Sequence, residues 1–419
     1  MAPTRKVNPI GRGVLLAGAL ALGLPLVTAH PCFSFTNGQA ASSVLGQPDF
    51  TTPDLRPASQ NSLNMPEGVW YDGANNRLFV GDLINSRVMI FDVSTLSNNQ
   101  NAIHELGQAG YTTLFATQTQ NGMANPIAGL FDPLTNRLFV SDNSNGRVLV
   151  FNNANNITDG MNASSVLGQP DFTTVIASPP DAKTMVRPAG LAYDAARHHL
   201  FECDWYNNRV LVFDVSPITN YQNAIAVLGQ PDFTSNAATL SQSGMFSPTG
   251  VAYDPNHNHL FVADNNNSRV LVYDVSTLTN GQNAIAVLGE PDFNTNLTAN
   301  FGNNLTQTGL SGPYSLDFDP ATNRLFVGDS QNVRIMIFDV STVTNFQKAI
   351  NVLGWPDFTT ANFHSVNATE TFHTFGLAYD SIHRRLFTAD YASNRVLVFF
   401  DSPAGPVITP ARPKNLRVQ

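Results

Sequence analysis

Six Asp–Arg pairs are the residues of this chain whose types and spacing first suggest chemistry. In each pair the Asp stands five residues before the Arg. The pairs are Asp82/Arg87, Asp142/Arg147, Asp204/Arg209, Asp264/Arg269, Asp329/Arg334 and Asp390/Arg395. A ring of such charges could bind a ligand. A pair that recurs in every repeat instead favours a structural role, in which Asp ends one strand, Arg begins the next, and the two side chains join across a hairpin.

Three carboxylates depart from the pattern around them. Glu67 is the only charge at its place among six related segments, Asp317 replaces an apolar residue, and Glu202 replaces Val or Thr. Convergent carboxylates could bind Ca²⁺ or another divalent ion through oxygen ligands. A buried acid could equally serve a backbone donor or an arginine. The ligands would come from different repeats, so the spacing shows no complete set, and no cofactor is required.

Other candidate binding residues lie in short turns and at the end of a long loop: Trp205, Tyr206, Asn207, Asn265, Asn266 and His373. A further set of histidines lies in a second group of turns: His198, His199, His257, His259 and His383. Histidine is a common metal ligand. Other repeats carry Asn or Arg at the matching places, however, so the sequence favours solvated turn histidines over a metal site.

The elements that position these residues follow from repetition. The segment "RLFVGDLINSRVMIF" at Arg77 has five related copies, spaced 60 to 65 residues apart. A second phrase, "VLGQPDFT", begins at Val44, Val166 and Val227 and has close variants. Alternating apolar residues and turn signals predict four strands per unit, such as "VAYD", "HLFVAD", "RVLVYDV" and "AIAVLG" between residues 251 and 289. Repeats of this length indicate stacked supersecondary units.

Six units of four strands predict an all-β fold, a six-bladed β-propeller. The series begins with a lone "VLG" strand and ends at "RVLVFF" without one. We therefore expect the strand at residues 41–45 to pair beside 395–400 and complete the last blade. Closure of this kind removes the open edge of a linear stack.

The phrases "PxGLAYD", "LFVAD…NNRVLVFD" and "AIxVLGxPDF" resemble NHL repeats over residues 41–400. This resemblance implies a six-bladed propeller and leaves the activity open. Propellers of this architecture include extracellular binding modules, RNA- or protein-binding domains, lactonases and an amidating lyase. The lactonases hold a channel metal with acidic and Asn ligands, which would give Glu67, Glu202 and Asp317 a role.

The ends of the chain and its charge narrow the function. Residues 1–29 have the basic start, apolar run and small-residue end of a signal peptide, too short for a membrane span. Residues 30–40 form a leader segment, and the Pro-rich residues 401–419 read as a linker. The net charge is -9, and removal of Arg5, Lys6 and Arg12 would give -12. Nucleic acid is therefore a poor partner. Two cysteines, Cys32 and Cys203, do not make a disulfide framework.

Six long connections are the other irregular feature, at residues 51–65, 112–125, 173–187, 234–247, 294–312 and 359–373. They are rich in Thr, Asn, Gln and Phe and should emerge on the same face as the Asn-rich turns. Loops of this length are often functional. We predict a secreted or periplasmic, monomeric, non-catalytic binding or scaffold module that contacts a protein or a polysaccharide through this face. The alternative is a metal-dependent hydrolase or lyase of lactonase type.

Overall fold

The computed structural model describes Met1 and residues 33–176, 179–297, 305–360 and 365–403. The predicted signal peptide, Cys32 and the tail beyond residue 403 lie outside the described residues. The compact unit comprises Phe33–Ser402. Within the described residues, no helix is long and apolar enough to cross a membrane. Cys203 is a buried free thiol.

Each blade is a four-stranded antiparallel sheet. Blade 1 comprises Pro66–Asp72, Arg77–Asp82, Arg87–Asp92 and His104–Leu106, and blade 2 comprises Pro126–Asp132, Arg137–Asp142, Arg147–Asn152 and Ser165–Leu167. Blade 3 comprises Pro188–Asp194, His199–Asp204, Arg209–Asp214 and Ala226–Leu228, and blade 4 comprises Pro248–Asp254, His259–Asp264, Arg269–Asp274 and Ala286–Leu288. Blade 5 comprises Pro313–Asp319, Arg324–Asp329, Arg334–Asp339 and Asn351–Leu353. Blade 6 comprises Thr374–Asp380, Arg385–Asp390, Arg395–Phe400 and the N-terminal Ser43–Leu45.

Short elements complete the inventory. Single 3₁₀ turns lie at Asn143–Asn145, Ala154–Asn156, Trp205–Asn207, Asn265–Asn267, Ser330–Asn332 and Tyr391–Ser393. The two-residue strands Phe33–Ser34 and Ser402–Pro403 pair with each other. The first strand of each blade contacts the first strands of the blades before and after it, and blade 6 contacts blade 1. The sheets therefore form the predicted closed ring.

The N-terminal strand closes the ring as the sequence predicts. Ser43 pairs with Val398, Val44 with Leu397 and Leu45 with Val396. Val44 and Leu45 are completely buried. Blade 6 thus has the same strand order as the other five blades, although its outer strand comes from the other end of the chain.

The described part of the leader segment also belongs to the propeller. Phe35 is buried, and the Asn37 side chain accepts a hydrogen bond from the Val352 backbone N–H at 3.0 Å. In the same way, the Asn280 side chain accepts a hydrogen bond from the Val227 backbone N–H at 3.0 Å. The phrase "TNGQ" at residues 36–39 recurs at residues 279–282. The repeat pattern therefore begins before residue 41.

The six Asp–Arg pairs are buried parts of the blade frame. Each Arg donates its Nε–H to the Asp five residues earlier at 2.7–2.8 Å. In blade 4, the other guanidinium nitrogens of Arg269 donate to the backbone oxygens of Phe293, Ser241 and Gly244. Asp264 also accepts the Phe246 backbone N–H. Each pair therefore joins a hairpin to two loops, which confirms the structural interpretation.

The recurring "LGQPDF" phrase forms the other half of this frame. Its glycine adopts a positive φ, +86° at Gly229, where a Cβ would lie 3.0 Å from the Asn208 carbonyl oxygen. Asp232 caps the turn by accepting the Thr234 and Ser235 backbone N–H groups. Phe233 offers its carbonyl to Arg209 and packs against the core. Its repetition therefore reflects a turn that anchors each buried arginine.

Hydrophobic packing between successive blades forms the core. Five apolar residues that each lie three positions before the first residue of a first strand are at most 1% exposed: Leu63, Met123, Met185, Met245 and Leu310. The long connections and the turns between second and third strands share one face, hereafter the long-loop face. Backbone bonds join Tyr206 N–H to Val186 O, and Tyr391 N–H to His373 O, at 3.2 Å. The predicted placement of the long loops is confirmed where they are described.

Candidate functional site

The first strands of the six blades surround a central channel of about 290 Å³. Glycines bring these strands close together. A Cβ on Gly68 would lie 2.1 Å from the Ile127 carbonyl oxygen, and one on Gly250 would lie 2.5 Å from that of Tyr314. The first strands therefore pack closely against one another around the channel. Glu67 and Asp317 both line the channel, as expected, whereas Glu202 does not.

Glu67 is bonded to a residue of a blade that is not its neighbour. It lies at the second position of the first strand of blade 1, near the long-loop face. The Tyr314 hydroxyl donates a hydrogen bond to Glu67 Oε1. Tyr314 occupies the equivalent position in blade 5, so blade 6 lies between the two residues. Their side chains must therefore project over the channel and meet at its mouth.

Aromatic side chains surround this bond. The Tyr314 ring lies 4.3 Å from the Phe375 ring and 6.4 Å from the Trp205 ring, centroid to centroid. Phe375 also meets Tyr391 at 4.7 Å. We call Glu67, Trp205, Tyr314, Phe375 and Tyr391 the mouth cluster. Blades 1, 3, 5 and 6 contribute to it, and it covers the end of the channel on the long-loop face.

A second ring of side chains borders the mouth cluster. His373 lies 5.9 Å from Phe375, and Phe372 lies 5.4 Å from His373. On the other side, Tyr206 contacts Trp205 at 5.7 Å, and the Arg187 guanidinium lies 5.5 Å from the Tyr206 ring centre. Tyr206 is 57% exposed and Phe372 is 47% exposed. Together these rings offer a ligand an apolar surface that solvent reaches.

The electrostatics of the mouth cluster favour a carboxyl that changes charge near neutral pH. Burial raises the pKa of Glu67 to about 7, although the Tyr314 hydrogen bond and the positive charge of Arg187 oppose the rise. Burial and the nearby Glu67 raise the pKa of the Tyr314 hydroxyl well above its usual range. Tyr314 is therefore the donor in the bond, and Glu67 is the group that titrates.

Asp317 lies deeper in the channel than Glu67. It stands three residues beyond Tyr314, the equivalent of Glu67, which places it about 10 Å further along the strand. Its Oδ2 accepts the Tyr379 backbone N–H at 2.5 Å, and its Oδ1 accepts that of Phe318 at 2.9 Å. Burial raises the pKa of Asp317 to about 7. The carboxylate thus links blades 5 and 6 and is separate from the mouth cluster.

Glu202 lies between blades 2 and 3. It is completely buried in the second strand of blade 3, opposite Leu191 and Leu211. Within the described residues, neither carboxylate oxygen has a hydrogen-bond partner of normal geometry. Burial, followed by the charge of Asp204, raises the pKa of Glu202 well above its usual range. The structure therefore places Glu202 apart from Glu67 and Asp317, a question that the sequence left open.

The candidate asparagines divide between frame and surface. The Asn207 side chain is buried and donates to Asp204 Oδ2 at 2.8 Å, as Asn267 does to Asp264. Asn265 donates to the Pro313 carbonyl at 3.1 Å. Asn266 is exposed and donates to Ser247 Oγ at 3.0 Å. Asn207 therefore belongs to the Asp–Arg frame, and Asn266 is the one of these three that faces solvent.

Known proteins match both the repeat and the fold. The sequence profile of the NHL repeat matches residues 247–273, which contain the first three strands of blade 4. The other five blades repeat this segment around the closed ring. The chain is a six-bladed β-propeller with an NHL repeat in blade 4. No curated protein matches it in sequence.

Solved structures are similar to this propeller at low sequence identity. An auxiliary nutrient binding protein from Bacteroides thetaiotaomicron is similar with a TM-score of 0.50 and 11% identity, over 81% of this chain and 70% of that one. A nidogen/laminin complex contains a chain similar with a TM-score of 0.42 and 13% identity, over 70% of this chain and 85% of that one. At these identities the likeness concerns the fold alone.

Sequence reasoning found only part of the mouth cluster of the NHL-repeat propeller. Glu67 and Trp205 were candidates, but Tyr314, Phe375 and Tyr391 were not. A signal was available, because Tyr314 and Phe375 are the bulky residues at a place where other blades carry Ala189 and Thr249. The charge of Glu67 at that position marked it as a candidate, whereas the size of the aromatic residues was not used as a criterion. Arg187 gave no signal, since its role depends on a contact between loops.

Proposed function

We propose that this NHL-repeat propeller is a non-catalytic binding module whose ligand occupies the channel mouth on the long-loop face. The mouth cluster carries this proposal. In it, Tyr314 spans the channel to reach Glu67, and aromatic rings from several blades lie side by side. Sites that combine aromatic walls with a few well-placed polar groups are typical of small-ligand recognition.

The chemistry of the mouth favours a carbohydrate. Aromatic rings with one polar end suit a ligand that is apolar on one face and rich in hydroxyls at its edge. The exposed Tyr206 and Phe372 rings provide such faces, and the exposed Asn266 provides a hydrogen-bonding group. The similar Bacteroides protein is described as nutrient binding, which agrees with capture of a polymer fragment. A protein partner on the same face is the competing outcome of the test.

The lactonase-type alternative finds less support in the arrangement of the carboxylates. Glu67 is engaged by Tyr314, Asp317 by two backbone N–H groups, and Glu202 is enclosed between blades. Within the described residues, the only group of three potential metal ligands is Asp254, His257 and His259, and none of these lines the channel. A channel enzyme would need ligands from further side chains or a different side-chain arrangement.

The binding test is titration of the purified chain with soluble oligosaccharides and cell-wall polymer fragments, followed by calorimetry. Trp205→Ala and Phe375→Ala should each weaken binding at least about tenfold, since stacked aromatic groups dominate such sites. Ile382→Ala is the matched control, because Ile382 is an exposed apolar residue in the hairpin after the first strand of blade 6. Binding that is lost equally in all three variants, or a metal-dependent lactone or ester hydrolysis that needs Glu67, would contradict the proposal.

We propose that the protein works outside the cytoplasm. This proposal rests on residues 1–29, which resemble a signal peptide, and on the long loops, which are polar but carry few charges. Expression of the full chain, followed by fractionation and N-terminal sequencing, tests it. The expected result is a mature chain that begins near His30 in the periplasm or medium. Full-length protein retained in the cytoplasm would contradict it.

A further inference from the structure

A hairpin on the opposite face of the propeller brings an aspartate and two histidines together. Asp254 ends the first strand of blade 4, and His259 begins the second. His257 Nδ1 lies 2.7 Å from Asp254 Oδ2. The His257 and His259 rings stack, with centroids 5.5 Å apart. Asp254 is completely buried, whereas the His257 side chain is 39% exposed.

No other blade has this combination. The residue five places after the Asp is an arginine in four blades, and it pairs with that Asp in Arg77–Asp72, Arg324–Asp319 and Arg385–Asp380. Blade 3 has His199 at this place, but Arg197 pairs with its Asp194 at 2.8 Å. The blade 4 hairpin, "DPNHNH", contains no arginine. Its buried carboxylate therefore has imidazoles where its counterparts have a guanidinium.

We propose that Asp254, His257 and His259 form a binding site for a divalent transition metal of the Zn²⁺ class. One potential ligand atom from each residue lies within 4.8 Å of the other two. Tetrahedral Zn²⁺ ligands at about 2.0–2.1 Å from the ion are roughly 3.3 Å apart. Closure therefore needs small side-chain movements, which the half-exposed His257 permits. Imidazole and carboxylate suit Zn²⁺, Co²⁺, Ni²⁺ and Cu²⁺ better than Ca²⁺ or Mg²⁺.

A further property of His259 fits this role. Its buried Nδ1 has no hydrogen-bond partner within the described residues. Such a group is costly to leave unsatisfied, and a ligand would relieve the cost. Asp274 lies opposite His259 on the third strand and adds negative charge near the site.

The proposed metal site is independent of the mouth cluster. The hairpin of residues 254–259 and the turn Asn265–Asn267 lie at opposite ends of the strand His259–Asp264, so the two sites are on opposite faces. Three protein ligands would leave a fourth position open to water or to a partner's side chain. The site would therefore add a metal-dependent function, structural or adhesive, that the proposed ligand binding does not require.

The test uses the untagged mature chain, Zn²⁺ titration by calorimetry and Co²⁺ absorption spectroscopy. We expect one ion per chain and the intense visible absorption of a four-coordinate Co²⁺ site. His259→Arg is the decisive variant, since it gives blade 4 the Asp–His–Arg set of Asp380, His383 and Arg385 in blade 6. It should weaken binding at least about a hundredfold without loss of folding, because an arginine fits this place elsewhere in the ring.

Matched controls separate this site from the other histidines. His199→Arg and His383→Ala should leave Zn²⁺ affinity and stoichiometry unchanged, whereas His257→Ala should weaken binding as His259→Arg does. Circular dichroism of metal-free His259→Arg checks that the propeller is intact. Wild-type protein without saturable binding, or His259→Arg with wild-type affinity, would overturn the proposal. Ion loss in His199→Arg or His383→Ala would place the metal elsewhere and also overturn it.

Discussion

The buried Asp–Arg frame and the mouth cluster are built on opposite principles. All six blades repeat the same aspartate, the same arginine and the same 2.7–2.8 Å contact between them. At the channel mouth, the equivalent first-strand positions carry six different residues: Glu67, Ile127, Ala189, Thr249, Tyr314 and Phe375. The frame is thus a property of the repeat, whereas the mouth is a property of this particular chain.

The difference shows where a repeat protein can vary. Arg269, for example, satisfies Asp264 and three backbone carbonyls of the loops before and after its blade, so a change there would leave buried polar groups without partners. Side chains at the mouth project over the channel, where the neighbouring residues come from other blades and solvent is close. Function can therefore change at the mouth while the fold is preserved, which is why departures from the repeat are informative.

The largest expected effect comes from a break in the frame. Arg269→Met leaves Asp264 as a buried charge without its cation and deprives three carbonyls of a donor. We expect a loss of about 3–5 kcal/mol in the free energy of unfolding. Urea denaturation measures it. Arg197→Ala is the control, since its pair with Asp194 is half exposed and should contribute less than about 1 kcal/mol. Equal losses in both variants would refute the distinction between frame and surface pairs.

The next largest effect is expected at Glu202, because this residue departs from the repeat and is buried inside the frame. Its pKa is raised by folding, so the folded state holds a proton that the unfolded state releases above pH about 4.3. Stability therefore falls as pH rises above that value, by about 1.4 kcal/mol per pH unit until the folded-state pKa is reached. Glu202→Val should therefore stabilise the protein more at pH 7.5 than at pH 4.5.

Thr388→Val is the matched control for Glu202→Val. Thr388 occupies the same position in blade 6 and is also completely buried, with a hydroxyl that has no hydrogen-bond partner in the described part of the chain. Its replacement should change stability equally at both pH values, because the hydroxyl does not titrate. Urea unfolding at pH 4.5 and 7.5 makes the comparison. A Glu202→Val gain that is independent of pH would show that packing, not ionisation, sets the cost.

The frame was predictable from the sequence, and the mouth was predictable only in part. Repetition alone gave the strands, the closing strand Ser43–Leu45 and the hairpin pairing of Asp and Arg. It also held the clue that Asn207 belongs to the frame, since Asn145 and Asn267 repeat it. Contact between Glu67 and Tyr314 joins residues 247 positions apart across an intervening blade. Such a contact depends on side-chain length and direction, which periodicity does not encode.

Glu67→Gln tests whether the mouth contains a group that titrates near neutral pH. Folding raises the pKa of Glu67 from 4.5 to about 7. Glu67 therefore makes the wild-type protein less stable as the pH rises from 4.5 to 7, and causes no further loss of stability above pH 7. The expected loss is about 3–4 kcal/mol, and Glu67→Gln should remove it. Asp317 also has a pKa of about 7, so its contribution to the fall of stability with pH should remain in the Glu67→Gln variant. Thermal unfolding from pH 4 to 9 gives the profiles.

Tyr314→Phe sharpens the same test. The Tyr314 hydroxyl lowers the pKa of Glu67, so its removal should move the upper end of the sloping region above pH 7. Glu67→Gln/Tyr314→Phe should then resemble Glu67→Gln alone in its pH profile. A double variant that retains the shifted slope would assign the titration to another group. Identical pH profiles for the wild-type and Tyr314→Phe would show that the hydrogen bond does not affect the pKa of Glu67.

The smallest expected effect compares two adjacent asparagines in the turn of blade 4. The Asn267 side chain is buried and donates to Asp264 Oδ2 at 2.8 Å and to the Thr239 carbonyl at 3.1 Å. The exposed Asn266 side chain donates only to Ser247 Oγ within the described residues. Asn267→Ala should cost about 1–3 kcal/mol of unfolding free energy, and Asn266→Ala less than about 0.5 kcal/mol. Urea unfolding measures both. If the two costs are equal, the backbone bond from Ser268 N–H to Asn265 O holds the turn. If instead Asn266→Ala weakens ligand binding without loss of stability, the two adjacent residues have different roles: Asn267 stabilises the frame and Asn266 contacts the ligand.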